Sequence, residues 1–176
     1  MIRRFNILKW GAYALAILLL TVFQMQTAFF PRFMDVTPLF VIPALIVIAI
    51  YEGETAGGIY GIFAGLIWDS GTGRVFGFNA LFLMCLAIAV GLLFKFLLKS
   101  TPFWAIIFTA AGTVLHETIT WFFFYYMTGN RDFVFAVLNI ILPTVALTLI
   151  FTLPIYYGIR FLNKRLTDSQ DSDLSV

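Results

Sequence analysis

The chain has 176 residues and a net charge of +2; 61% of its residues are hydrophobic, 11% are charged, and the mean hydropathy is +0.97. Soluble domains carry about 25% charged residues, so this composition excludes a water-exposed globular domain and predicts one compact integral membrane domain. The single cysteine, Cys85, excludes an internal disulfide, and the sequence has no Cys/His cluster or aromatic-rich basic patch that would predict metal or nucleic-acid binding.

The amino-terminal half of the sequence predicts three apolar helices. The first covers 10–30, the second covers 38–51, and the glycine-rich third begins at Gly53. The second and third are short, because a membrane span needs about 20 residues. A re-entrant hairpin is the alternative, but it would bury Glu52 and Glu54 in the membrane at a cost of about 2.5–3.5 kcal/mol each. Two short spans with both carboxylates at the headgroups are therefore favoured.

The carboxyl-terminal half predicts three further helices. Two of them cover 78–98 and 103–127, and loops with strong helix breakers bound them. The segment 133–162 is too long for one simple span. We expect a short interfacial piece there, followed by a sixth helix that begins near Ile140 and is kinked at a proline.

Together these segments predict an all-α fold, a polytopic membrane helical bundle. Its six transmembrane helices form a single domain over 1–166, and a disordered acidic tail follows over 167–176. Six helices place both termini on one side of the membrane. With the termini in the cytoplasm, 8 of the 11 Lys and Arg residues lie on the cytoplasmic side and 3 lie outside. The positive-inside rule therefore predicts cytoplasmic termini.

The third helix carries glycines at a spacing of four residues. Gly53, Gly57, Gly61 and Gly65 lie in one register, and Asp69 is next in it. Positions four apart share one helix face, so the glycines leave a groove into which another helix can pack closely. The groove predicts packing either inside the chain or against a partner protein. The packing interpretation within the chain is favoured.

Asp69 has two interpretations at the outer end of this helix. In the first interpretation, it forms a salt bridge, for example with Arg74, or contacts a partner outside the membrane. Alternatively, it accepts hydrogen bonds from backbone amides of its own Asp-Ser-Gly-Thr-Gly turn, as aspartates commonly do.

The fifth predicted helix carries a polar stripe near its middle. Thr113, His116, Glu117 and Thr120 lie three or four residues apart. Ionisable groups inside a membrane suggest a proton relay, a ligand site or a partner contact. The alternative is a structural hydrogen-bonded seam in which desolvation keeps Glu117 protonated. No serine lies on this helix and no phosphate-binding loop precedes a lysine, so we expect no enzymatic activity.

A motif spans the glycine helix and the start of the next one: Gly57, Gly61, Gly65, Asp69, Gly77, Asn79, Ala80 and Leu81. It resembles the signature of the MreD family of rod-shape-determining membrane proteins. The resemblance implies a non-catalytic scaffold of the bacterial cell-elongation machinery in the cytoplasmic membrane. It implies as partners a bitopic MreC-like protein, an MreB-like filament and the enzymes of lateral peptidoglycan synthesis, with membrane lipid around the helices. No cofactor, metal or small-molecule substrate is expected.

The alternative function is a substrate-binding membrane subunit of an energy-coupling-factor vitamin transporter. Those subunits also have about six helices in a similar length, with small-residue motifs such as Ala12-x-x-x-Ala16 in helix 1. A vitamin binder should converge polar and aromatic side chains near the outer leaflet. The predicted outer loops offer only a scattered set: Asp35, Asp69, Arg74, Asn130, Arg131 and Asp132. The scaffold interpretation is therefore favoured.

Overall fold

The fold is that of a computed structural model, which describes residues 2–26, 36–73, 75–98, 100–127 and 132–174. The regular elements in these ranges are all helical, which confirms the all-α prediction. The helices are α1 (Ile2–Met25), α2 (Val41–Thr72), α3 (Phe78–Phe96), α4 (Pro102–Trp121), α5 (Phe133–Ala136) and α6 (Leu142–Leu174). The π-helical segment Phe122–Tyr126 extends α4, and a second one, Val137–Ile141, joins α5 to α6.

Four helical stretches of the described chain are long and apolar enough to cross a membrane: Val41–Thr72, Phe78–Phe96, Pro102–Tyr126 and Phe133–Arg165. A shorter apolar stretch, Lys9–Met25, lies in α1. These helices support a membrane protein. The predicted count of six transmembrane helices is not confirmed, because the second and third predicted helices are one element, α2.

α2 is folded into two arms at Gly53. That residue has φ 85° and ψ −176°, a conformation inside the helix that is essentially restricted to glycine. A Cβ built on Gly57 would lie 2.8 Å from the Cβ of Ala49. In a straight helix, residues eight apart are separated by about 12 Å. The arms 41–52 and 54–72 therefore run back along each other as a helical hairpin.

The tip of this hairpin lies at one end of the bundle, where both of its carboxylates are paired. Glu52 contacts Lys9 Nζ at 2.7 Å and accepts a hydrogen bond from Tyr13 Oη at 3.1 Å. Glu54 forms an ion pair with Lys95, near the end of α3. The tip thus shares an end with the beginning of α1 and the end of α3. We call it the Lys9 end, and the opposite end the Asp69 end.

The first arm of α2 is the centre of the core. Its residues from Val41 to Ala49 are buried, and α2 contacts α1, α3, α4 and α6. A helix that is apolar on all sides is buried on all sides, which explains why this arm carries almost no polar residue. The arm is about 18 Å long, whereas the hydrocarbon core of a bilayer is about 30 Å thick. Whether it crosses the whole membrane stays a prediction.

The other helices differ from the predicted boundaries in three places. α1 ends at Met25, and the rest of the predicted helix, 27–30, lies outside the described residues. Instead of a break before Ile140, a π-helical segment joins α5 to α6, so the helical run continues from Phe133. A π-helical segment absorbs an extra residue without interrupting the helix. At the other end, α6 continues to Leu174, over a segment for which the sequence predicts disorder.

Candidate functional site

The glycine face of α2 packs closely against α3 of the same chain. A Cβ on Gly61 would lie 2.8 Å from the carbonyl oxygen of Leu83, and one on Gly65 would lie 2.2 Å from Ala80 Cα. Such distances leave no room for any side chain, because the neighbouring atoms belong to the backbone. The groove is therefore filled from within the chain, and Gly57, Gly61 and Gly65 are buried in this contact.

Gly91 belongs to the same contact, although sequence reasoning missed it. A Cβ there would lie 2.6 Å from the backbone of Glu54, just past the hairpin tip. The signal was present on α3, where Ala80, Ala87 and Gly91 fall on one helix face at spacings of seven and four. The contact thus has small residues on both of its helices.

Asp69 caps the amino terminus of α3. The residue is 3% exposed, and its carboxylate accepts hydrogen bonds from the backbone amides of Gly77 (2.9 Å), Asn79 (3.2 Å) and Ala80 (3.3 Å). The first turn of a helix leaves such amides without partners, and its dipole favours an anion there. The acceptor role is the one expected for an aspartate in a turn, but the amides belong to 77–80 rather than to 69–73. Arg74 lies outside the described residues.

The side chain of Asn79 continues this network to α4. Its Nδ2 donates to Asp69 Oδ1 at 2.8 Å, and its Oδ1 lies 2.8 Å from His116 Nε2. The amide orientation follows from the neighbours: a carboxylate that already accepts three amides requires a donor, so the Asn79 oxygen faces the imidazole. His116 Nε2 must then carry a hydrogen and donate it to Asn79.

His116 and Glu117 are in direct contact. His116 Nδ1 lies 3.3 Å from Glu117 Oε1. If the imidazole is neutral, Nδ1 is an acceptor because Nε2 holds the hydrogen, and the carboxyl group must be the donor. If the carboxyl group is ionised, the imidazole must carry both hydrogens. The chain Asp69–Asn79–His116–Glu117 thus links α2, α3 and α4.

Two aromatic rings enclose the imidazole of His116. The Trp68 ring stacks on it with centroids 4.9 Å apart and an angle of 24° between the planes. Phe82 presents an edge at 5.1 Å. Asn79 and Trp68 were not predicted to belong to this site. Asn79 lies in the motif used for the family resemblance, but only the fold shows that it reaches His116.

The threonines of the polar stripe are not joined to this network. Thr113 and Thr120 are buried, and neither hydroxyl has a hydrogen-bond partner in the described structure. Thr109, one turn before Thr113, is in the same state. The stripe on α4 therefore consists of one bonded pair, His116 and Glu117, flanked by unpaired hydroxyl groups.

A cavity of about 250 Å³ lies beside this pair, toward the Asp69 end. Its polar lining includes His116, Glu117 and Thr120. Its aromatic lining includes Trp68 and Trp121. The predicted outer loops showed no such convergence, because most of these side chains come from helices rather than loops. Tertiary packing brings the end of α2, the last turns of α4 and the start of α6 to one place.

The described residues contain no group of three or more His, Cys, Asp or Glu side chains arranged to hold a metal ion. The site offers instead a fixed hydrogen-bond network, one carboxyl group, one unpaired hydroxyl group and aromatic walls. Such an arrangement can bind a small polar group, and it can hold three helices in register.

A protein-family model described as rod shape-determining protein MreD matches residues 5–166 of the chain. Among curated proteins and solved structures, none matches it. The family match covers the hairpin of α2, the contact between α2 and α3 and the network around His116.

Proposed function

Because the chain belongs to the MreD family, we propose that it is a non-catalytic scaffold of the cell-elongation machinery in the bacterial cytoplasmic membrane. The match over 5–166 carries this proposal, and it confirms the resemblance drawn from the glycine motif. Family membership supports a role in rod-shape determination, and the family is structural rather than enzymatic. The proposed work of the protein is to bind other components within the membrane.

The distribution of polar groups supports a scaffold. The carboxylate of Asp69 accepts hydrogen bonds from the start of α3, and those of Glu52 and Glu54 form ion pairs at the hairpin tip. Large apolar side chains are exposed along α1, α3, α4 and α6. In a membrane such surfaces contact either lipid or another protein, so binding within the bilayer is the main activity that they allow.

We propose an MreC-like bitopic protein as the direct partner, acting together with an MreB-like filament and wall-synthesis enzymes. The glycine face and Asp69 are buried in the chain, so their contribution is to hold α2 and α3 together rather than to contact the partner. We propose that the partner helix binds instead in a groove of about 460 Å³ between α1 and α6. Ala16, Phe23, Phe151 and Gly158 line it.

Gly158 allows a test of this groove that spares the fold. A Cβ there would meet nothing within 4 Å, so Gly158→Leu should fill the groove and leave the bundle intact. We expect co-purification of the MreC-like partner to fall while the protein level stays normal. Gly11→Leu is the matched control, because Gly11 also faces open space but lies outside the groove. Equal co-purification of both variants would exclude the groove as the partner site.

Depletion in a rod-shaped bacterium tests the function as a whole. Loss of a scaffold for lateral wall synthesis should give rounded, swollen cells with delocalised wall synthesis. The readout is cell width and the pattern of labelled peptidoglycan precursors. Normal rods after complete depletion, in a cell with no second copy, would contradict the proposal. The vitamin-transporter alternative is supported by none of the comparisons, and a vitamin released from the denatured purified protein would revive it.

A further inference from the structure

We propose that the cavity beside Glu117 binds a primary ammonium group, either that of a small amine or that of an ethanolamine lipid headgroup. This goes beyond the scaffold function and does not depend on it. Three features of the cavity point to this chemistry: a carboxyl group, an unpaired hydroxyl group and aromatic walls.

A carboxyl group is the first of these features. Glu117 is the one carboxyl group among the described lining residues, and they include no lysine or arginine. Its side chain is 15% exposed, and one carboxylate oxygen lies 3.3 Å from His116 Nδ1. A carboxylate has about four lone-pair sites, so Glu117 retains acceptor capacity for a donor in the cavity.

Thr120 supplies a second acceptor. It is 6% exposed and lines the cavity, yet its hydroxyl oxygen has no partner in the described structure. Threonines inside a helix commonly bond to the carbonyl group four residues earlier, as Thr148 and Thr152 do on α6. A buried polar group without a partner usually marks a missing water or ligand. Thr120 lies one turn after His116 and Glu117 on α4, so it lies close to the carboxyl group.

The aromatic residues complete the site. Trp68, Trp121 and Tyr125 line the cavity, and aromatic rings attract a cation that lies over their faces. A primary ammonium group has three N–H donors, which suit the carboxylate, the hydroxyl oxygen and one water. An anion would not be attracted to the negative faces of aromatic rings.

The size of the cavity limits the ligand to a small group. About 250 Å³ is below the roughly 300–1,000 Å³ of pockets that enclose drug-sized ligands. An amine of a few atoms or the ethanolamine end of a lipid fits this volume. The cavity lies at the Asp69 end of the bundle, where a headgroup would be found if that end lies at the membrane surface.

Binding to the purified full-length protein in detergent tests the proposal. The probes are free ethanolamine and short-chain phosphatidylethanolamine. Phosphatidylcholine is the matched control, since it keeps the positive charge and phosphate but lacks N–H donors. The readout is tryptophan fluorescence, because two of the four tryptophans, Trp68 and Trp121, line the cavity. We expect saturable binding at least about tenfold tighter for the ethanolamine lipid than for the choline lipid.

Glu117→Gln tests the role of the carboxylate. It should weaken binding about tenfold or more, because it replaces one carboxyl oxygen with an NH₂ donor while keeping the side-chain shape. Glu54→Gln is the control, since it removes one carboxylate at the Lys9 end, far from the cavity. Thr120→Val is a second variant, which should weaken binding even if Glu117→Gln does not fold.

The outcomes distinguish a free amine from a lipid headgroup as the ligand, and they decide the proposal. Binding of both ethanolamine and its lipid supports a site open to free amines, and binding of the lipid alone supports a headgroup site. Equal binding of the choline lipid would overturn the proposal, because the N–H donors would then be unused. Absence of saturable binding, or an unchanged affinity in the folded Glu117→Gln variant, would overturn it as well.

Discussion

At the scale of single residues, Asp69 shows how one side chain can specify the relation between two helices. It belongs to the end of α2, where the helix dipole disfavours an anion, yet its oxygens lie at the start of α3, where the dipole favours one. The carboxylate thereby satisfies three amides that would otherwise be buried without acceptors. It also orients Asn79 toward His116.

We expect Asp69→Asn to destabilise the protein by about 1–3 kcal/mol, because the amide group brings donors against amides that need an acceptor. Thermal unfolding in detergent measures the effect. Asp132→Asn is the control, since Asp132 precedes α5 but makes no side-chain cap hydrogen bond. A shift of the same size in both variants would show that the cap of α3 contributes little.

At the scale of helices, the contact between α2 and α3 is a close packing of backbone against backbone. Backbone lies against backbone at Gly61, Gly65 and Gly91, which a bilayer favours because van der Waals packing replaces the hydrophobic effect there. The hairpin of α2 depends on the same residue type for a different reason. Gly53 is needed for its backbone angles and not for close packing, because a Cβ there would meet nothing within 4 Å.

The glycine contact predicts that Gly65→Ala is costly. The added methyl group would lie 2.2 Å from Ala80 Cα, so α3 must move, at a cost of about 1–3 kcal/mol. Gly11→Ala adds the same methyl group in open space and should be close to neutral. The measurement is the temperature at which each variant loses its monodisperse peak in size-exclusion chromatography. Equal temperatures for the two variants would argue against the close contact.

The hairpin makes a separate prediction at Gly53. We expect Gly53→Ala to cost about 1–3 kcal/mol although no atom is in the way, because an L-residue is strained at φ 85° and ψ −176°. Replacement by a D-alanine in a semisynthetic chain should restore stability. If the L-alanine variant is as stable as the parent protein, α2 does not need the reversal at this residue.

At the scale of the whole molecule, the two arms of α2 are compatible with six membrane crossings, and we propose that number. The arms of α2 return the chain to the Asp69 end, so α1 and α6 have their termini at the Lys9 end. Glu52 confirms this geometry from two sides, because it contacts both Lys9 on α1 and Asn163 on α6.

This arrangement predicts the result of labelling in intact cells. Cysteines introduced at Gly73 or Asn130 should react with a membrane-impermeant reagent from outside, whereas one at Lys99 should not. The background variant is Cys85→Ser, because Cys85 is exposed in the described structure. Labelling at position 99 under these conditions would overturn the proposal of cytoplasmic termini.

Composition and residue spacing alone determined the class of the protein and the glycine face of α2. An apolar chain with few charges cannot cover itself with a polar surface, so membrane helices follow from composition, and a spacing of four glycines defines one helix face. These properties are local. They require no knowledge of which residues meet across the fold.

Only the tertiary structure decided what those residues contact. The reversal at Gly53, the Asp69 cap on α3, the link from Asn79 to His116 and the cavity beside Glu117 all join residues that are distant in sequence or turn on one backbone angle. The same glycine spacing is found in a groove that binds a partner and in a contact inside one chain. Likewise, a carboxyl group in the sequence can belong to a structural seam or to a binding site. The choice depends on the position of α3 and α4, which packing of the whole bundle sets.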